Sequence, residues 1–197
     1  VRPDVYIDIH NFGREVLSMG PSCLSLSSAV RNMTNFFIND LRAPMNYATR
    51  TMSASGEAPT HHWASGGAMG LLIEASTAFQ PSWSASVSEE ARVWPGIRQV
   101  LTTWAPSVRG KVQSITGQPL EADISVQQGI YNNNEKSISR PRDGRYVGYL
   151  PANQVYTLVC SAPGYQTETR TILAPAYNST VTVDFDLTPV GVQPSTL

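Results

Sequence analysis

Hydrophobic residues follow two kinds of spacing along this chain, and the change between them falls near residue 106. In the first part, Val5, Ile7 and Ile9 alternate with Tyr6, Asp8 and His10. This period of two predicts a half-buried strand over about 4–10 that ends on a histidine. Val30, Met33, Phe37 and Leu41 then recur at helical spacing, with Ser27 or Ser28 placed to cap and Ala43-Pro44 placed to stop, which predicts a helix over about 28–42. Residues 44–68 scatter Pro44, Gly56, Pro59, Gly66 and Gly67 among serines and threonines and predict a long loop. Residues 69–75 are almost continuously apolar, interrupted by Glu74, as in a strand buried on both faces. A second helix follows, with Ser86 or Ser88 as cap and Glu89 and Glu90 in the positive first turn. Trp94, Ile97, Leu101 and Trp104 recur on one face. Pro95 inside that pattern predicts a kink, or a helix proper that starts near Trp94.

After Pro106 the helical spacing disappears. Short alternating runs at 108–113, 122–127, 145–150, 155–160, 166–173 and 180–187 are separated by Thr116-Gly117, Asn132-Asn133-Asn134, Asp143-Gly144 and Pro163-Gly164. Regular short strands with such turns predict a small all-β sandwich, expected to be antiparallel and independent of the first part. The expected division is an α/β domain over 1–106, an all-β domain over 107–189 and a fraying tail over 190–197.

Composition narrows the class. The 197 residues are 41% hydrophobic and 15% charged, too apolar for a disordered chain. Fourteen Lys and Arg face fifteen Asp and Glu, a net charge of -1, without the basic excess of a phosphate-neutralising nucleic-acid binder. No apolar run approaches the length of a membrane span, and the opening VRPDVYIDIH lacks the form of a signal peptide and reads as an internal position. Cys23 and Cys160 fall in different expected domains, so one bridge or two buried thiols are both open.

The candidate chemistry is sparse. The three histidines are His10, His61 and His62. His10 ends a strand, where open α/β sheets bind ligands, although a histidine satisfied by one backbone hydrogen bond is the plainer reading. Glu74 in an apolar strand needs a partner, either a structural arginine or a catalytic role. His61 and His62 could join His10 as three zinc ligands, but adjacent residues of an extended chain point apart, and solvated loop histidines are the simpler expectation. Arg14, Arg31, Arg42 and Arg50 read as surface solubilisers or carboxylate clamps, and Trp83, Trp94 and Trp104 as core.

The stretch DIHNFG at 8–13 resembles the third zinc-ligand motif of the carboxypeptidase A/E-like zinc metallocarboxypeptidases. MSASGEAP at 52–59, GLLIEAS at 70–76 and the helix from Glu89 to Trp104 follow the order of that family's tyrosine loop, glutamate strand and last catalytic-domain helix. The segments VRGKVQSITGQPLEADISV, DGRYVGYLP, VCSAPGYQTET and VTVDFDL are similar to the transthyretin-like domain of the N/E-type members. The resemblance spans about 4–188 and implies the C-terminal half of a mixed-sheet α/β catalytic domain followed by a transthyretin-like sandwich.

Carried over by position, His10 would be a ligand to one zinc ion and Glu74 the general base that takes a proton from zinc-bound water. Asn11 and Met52 would be substrate contacts. Zinc acidifies its water and polarises the scissile carbonyl, and a shielded carboxylate can accept and return the proton. The implied substrate is a peptide C-terminus and the implied setting secreted or periplasmic. Two features depart from the family. The HxxE ligand pair and the substrate-binding arginines would precede this chain's first strand, so a catalytic zinc would need a further polypeptide. Met52 stands where the family has a tyrosine. A catalytically inactive carboxypeptidase-like binding protein, or a zinc amidase acting on another amide, are the alternative readings.

Overall fold

The computed structural model describes residues 2–18, 27–51, 58–131 and 135–191. The chain is mixed α/β, with three helices and several small sheets among those residues. None of the described helices is long and apolar enough to cross a membrane.

The first sheet contains β1 (Val5–Asn11), β2 (Glu15–Ser18), β3 (Ala48–Thr51) and β4 (Met69–Ala75) in the order β1-β4-β2-β3. β1 is parallel to β4, β4 antiparallel to β2, and β2 parallel to β3. Because alternate residues face opposite sides, the register defines two unlike faces. One carries Val5, Ile7, Val16, Met69, Leu71, Ile73 and Ala75, and helices α1 (Ser28–Arg42) and α3 (Trp83–Thr103) cover it in one core. The other carries Tyr6, Asp8, His10, Leu17, Arg50, Leu72 and Glu74.

α1 forms where its spacing predicts. Ser27 Oγ caps it by accepting from the Val30 N–H at 3.4 Å, and Val30, Met33, Phe37, Ile38 and Leu41 are buried. The loop expected over 44–68 instead contains β3 and the helix α2 (Ala58–Gly66). Proline at the second helical position suits a first turn, where no N–H partner is needed, so Pro59 marks a helix start here rather than a break. Gly67 has φ +72, open to glycine at little cost, and a Cβ there would lie within 2.8 Å of Val147 O. It lets the chain leave α2 against the β-rich part.

α3 is one continuous helix from Trp83, capped by Ser82, with Pro95 inside it. Its buried face is Glu89, Val93, Gly96 and Val100 rather than the tryptophan face. Gly96 selects that face: a Cβ there would sit 2.6 Å from Leu41 O, so the helices approach backbone to backbone. Trp83 and Trp94 are consequently exposed, at 82% and 56%. Trp104 alone of the three expected core tryptophans is held inward, packed on Phe37 and donating its Nε1–H to Asp40 Oδ2 at 2.6 Å.

The β-rich part has two sheets about a second core. The first, in the order β10-β9-β6-β7, joins β6 (Asp123–Val126), β7 (Ser137–Ile138), β9 (Val155–Ser161) and β10 (Glu168–Leu173), all antiparallel. In the second, β5 (Val108–Ser114) pairs antiparallel with β8 (Arg145–Gly148) and parallel with β11 (Val181–Thr182) and β12 (Phe185–Leu187). The sandwich is therefore not wholly antiparallel. Alternation has the same period in either strand direction, so the pattern could not show this. Asp184 bridges β11 and β12, its Oδ1 accepting from the Lys111 N–H at 2.8 Å in place of a backbone carbonyl.

The two parts are packed together. Phe37 of α1 lies edge-on to Tyr149, Tyr177 and Trp104 with ring centroids 4.8–5.9 Å apart, and Tyr149 belongs to the first core. Cys160 is a free, fully buried thiol whose pKa burial pushes up to about 12. Cys23, like Met52, lies outside the described residues.

Candidate active site

His10 and Glu74 are distant in sequence and adjacent in space. β1 and β4 run in parallel with His10 opposite Glu74 in the register, so their Cα atoms are separated by about one strand spacing, ~4.8 Å. Both lie one residue before the carboxyl end of their strand. That is well within the ~10 Å that a shared site can span. The neighbours on this face are Asp8 and Leu72, one pair back along the same strands, then Leu17 and Arg50 on β2 and β3. Together they line a cavity of about 280 Å³, closed on one side by Ala58 at the start of α2.

α2 reaches this face because Gly70 of β4 has no side chain. A Cβ on Gly70 would fall 2.9 Å from Pro59 Cα and closer still to its carbonyl. The next turn of α2 stacks His62 on Tyr6 with ring centroids 4.2 Å apart, and the burial this entails lowers the His62 pKa. His61 and His62 are thus helical, not loop residues, and His62 sits on Tyr6, four residues from His10 along the strand. At ~3.3 Å per strand residue that distance excludes a shared three-histidine metal site.

Charge on the face is mixed. His10 Nε2 is 3.3 Å from Asp8 Oδ1, and Arg50 Nε donates to Glu15 Oε2 at 2.8 Å. Glu15 is the register partner of Glu74 on its other side, so two carboxylates stand side by side and the arginine bonds to Glu15. Glu74 Oε2 is buried without a hydrogen-bond partner. Such an atom is costly to leave unpaired, and here it belongs to a side chain lining the cavity.

A catalytic zinc takes three protein ligands and keeps one position open. His10 can supply one of them: a carboxylate behind one ring nitrogen orients an imidazole for metal binding, and Asp8 at Nε2 leaves Nδ1 for the ion. Among the described residues no group of three His, Cys, Asp or Glu side chains is placed to hold a metal. A zinc ion held at His10 would need its other protein ligands from outside the described residues. Asn11 lies on the opposite side of the sheet from His10 by strand alternation, in a separate cavity with Ile9 and Ala75.

The turns that follow both strands are anchored to each other. Gly13 N–H donates to Ser76 O at 2.9 Å. Arg14, at φ 52, grips Glu89 through Nε at 3.1 Å and Nη2 at 2.6 Å, and Tyr47 donates its hydroxyl to the same carboxylate. Glu89 is 6% exposed. The guanidinium holds its pKa below the usual carboxylate range, while burial raises that of Tyr47. The sequence pattern places Glu89 in the first turn of the helix and leaves Arg14 as a surface solubiliser or a carboxylate clamp, and nothing in it brings the two together with Tyr47. One signal was present: Glu89 stands four residues before Val93, on the stripe that continues through Gly96 and Val100.

No protein-family model matches the chain, and no curated protein is detectably similar to it in sequence.

Proposed function

We propose that this chain is the part of a zinc metallocarboxypeptidase that carries one metal ligand, His10, and the general base, Glu74, followed by a transthyretin-like β-sandwich. The observation that supports this most is the lateral pairing of His10 and Glu74 on one sheet face, with a buried, unpartnered Glu74 oxygen beside a cavity. In this reading a bound zinc supplies Lewis-acid polarisation of the scissile carbonyl. Asp8 orients the His10 ring. Glu74 holds the abstracted proton at Oε2 and returns it to the leaving amine, a task suited to a carboxylate that nothing else occupies.

The remaining ligands belong to a companion polypeptide or segment bearing HxxE. Its docking place is the open side of β1, an edge strand. There Ile9, Val93, Trp94 and Ile97 line a mostly apolar groove of about 340 Å³, and Leu101 continues it outward at 72% exposure. Exposed apolar stripes of this kind mark contact surfaces.

The test is zinc content and C-terminal peptide hydrolysis measured on the protein together with its companion. Glu74→Gln should lower turnover by about 10²-fold or more, the range for loss of a general base, and leave bound zinc near wild type. His10→Ala should lose zinc. A folded protein that binds no zinc in the presence of its companion sinks the reading. Peptide binding without turnover in a zinc-loaded wild type would favour the inactive binding protein, and hydrolysis of another amide alone would favour the amidase.

A further inference from the structure

A cavity of about 500 Å³ lies away from the His10–Glu74 face. It lies where the first residues and the end of α2 meet the outer face of β5 and β8. Its wall contains five cationic side chains, Arg2, Arg109, Lys111, Arg140 and Arg145, against two acids, Asp4 and Asp184. Two of the cations are already engaged: Arg2 with Glu121 at 3.4 Å and Ser139 O at 2.5 Å, and Arg140 with Asp143 at 3.0 Å.

The other three are not. Among the described residues Arg109, Lys111 and Arg145 make no salt bridge, and one oxygen of Asp184 is spent on the Lys111 backbone N–H. Their arrangement is set by the ladder. Lys111 is directly opposite Arg145 in the β5–β8 register, and Arg109 is two residues along β5 on the same outward face. Like charges directly across two strands destabilise a sheet. An anion placed between them removes the repulsion and gains charge-assisted hydrogen bonds, bidentate at each guanidinium. Pro3, Tyr146 and Val147 complete the wall with less polar surface, and the volume is that of a small-molecule site.

We infer that this cavity binds a phosphate or sulfate group, as the free oxyanion or a monoester, through Arg109, Lys111 and Arg145. The inference does not depend on the reading of the His10–Glu74 face. The probes are inorganic phosphate, inorganic sulfate and phenyl phosphate, titrated at constant ionic strength made up with chloride and followed by calorimetry. Saturable binding is expected. Each of Arg109→Gln, Lys111→Gln and Arg145→Gln should weaken it by about tenfold, the scale of one hydrogen bond between charged partners. Arg98→Gln, an exposed arginine on α3 outside the cavity, should change it less than about twofold, as expected of a surface charge that makes no contact. Tighter binding of phenyl phosphate than of phosphate identifies a monoester as the ligand; equal binding identifies the inorganic anion. Circular dichroism of each variant confirms that the fold persists. Absence of saturation, or equal weakening by Arg98→Gln and the three cavity variants, overturns the inference.

Discussion

Glu89→Gln tests whether the turns behind the site are held by charge or only by shape. The substitution keeps the size of the side chain and one acceptor oxygen, and removes the charge that Arg14 grips through two nitrogens and that Tyr47 bonds. Breaking a fully buried ion pair costs about 3–5 kcal/mol. Here Glu89 is buried, but the Arg14 side chain is 38% exposed and recovers water when released. A loss of about 2–3 kcal/mol is therefore expected for Glu89→Gln at pH 7. With a urea slope of about 2 kcal/mol/M, the midpoint should fall by about 1–1.5 M.

The pH dependence has a definite sign. The folded-state pKa of Glu89 is depressed below its ordinary 4.5, so its contribution is complete above that value and is lost as pH falls through the folded-state pKa. The gap between wild type and variant should thus be full at neutral pH and shrink progressively below pH 4.5. Urea melts at a series of pH values measure it. A gap equally large well below that range, or a variant as stable as wild type at pH 7, would refute an electrostatic anchor.

Gly70→Ala drives a Cβ into Pro59 and should cost about 1–3 kcal/mol by overpacking, with His62 leaving Tyr6; loss of the ring-current shift of His62 by NMR checks it, and an unchanged spectrum counts against α2 lying on this face. Phe37→Ala removes a fully buried ring from the contact between the two cores and should cost about 3–5 kcal/mol. Its unfolding should show the α/β and β-rich parts separating into two transitions, whereas one unshifted transition would mean that the aromatic contact is incidental. Cys160, buried and with its pKa raised to about 12, should resist a thiol reagent at pH 8 in native protein and react after denaturation; fast native labelling at that residue would contradict its burial.

Much of the local structure was legible because it depends on neighbours in sequence. The spacing of Val30, Met33, Phe37 and Leu41 sufficed for α1, alternation sufficed for β1 and most strands of the β-rich part, and the apolar run over 69–75 sufficed for β4. Glu74 stood out as the one charged residue in an apolar run, and His10 as the histidine that ends an alternating pattern. Other features depend on contacts that no local pattern encodes. The inward face of α3 was chosen by the close approach of Gly96 to Leu41, which left Trp83 and Trp94, two of the three tryptophans that looked like core, in solvent. β5 lies parallel to β11 and β12, although its side-chain alternation would suit either direction. Arg14, Tyr47 and Glu89 converge from three separate segments, and Lys111 meets Arg145 only through strand pairing. Periodicity determines which side of an element is apolar. The partner that side meets, and the charges brought together as a result, follow from long-range packing and register, which exist only in the folded chain.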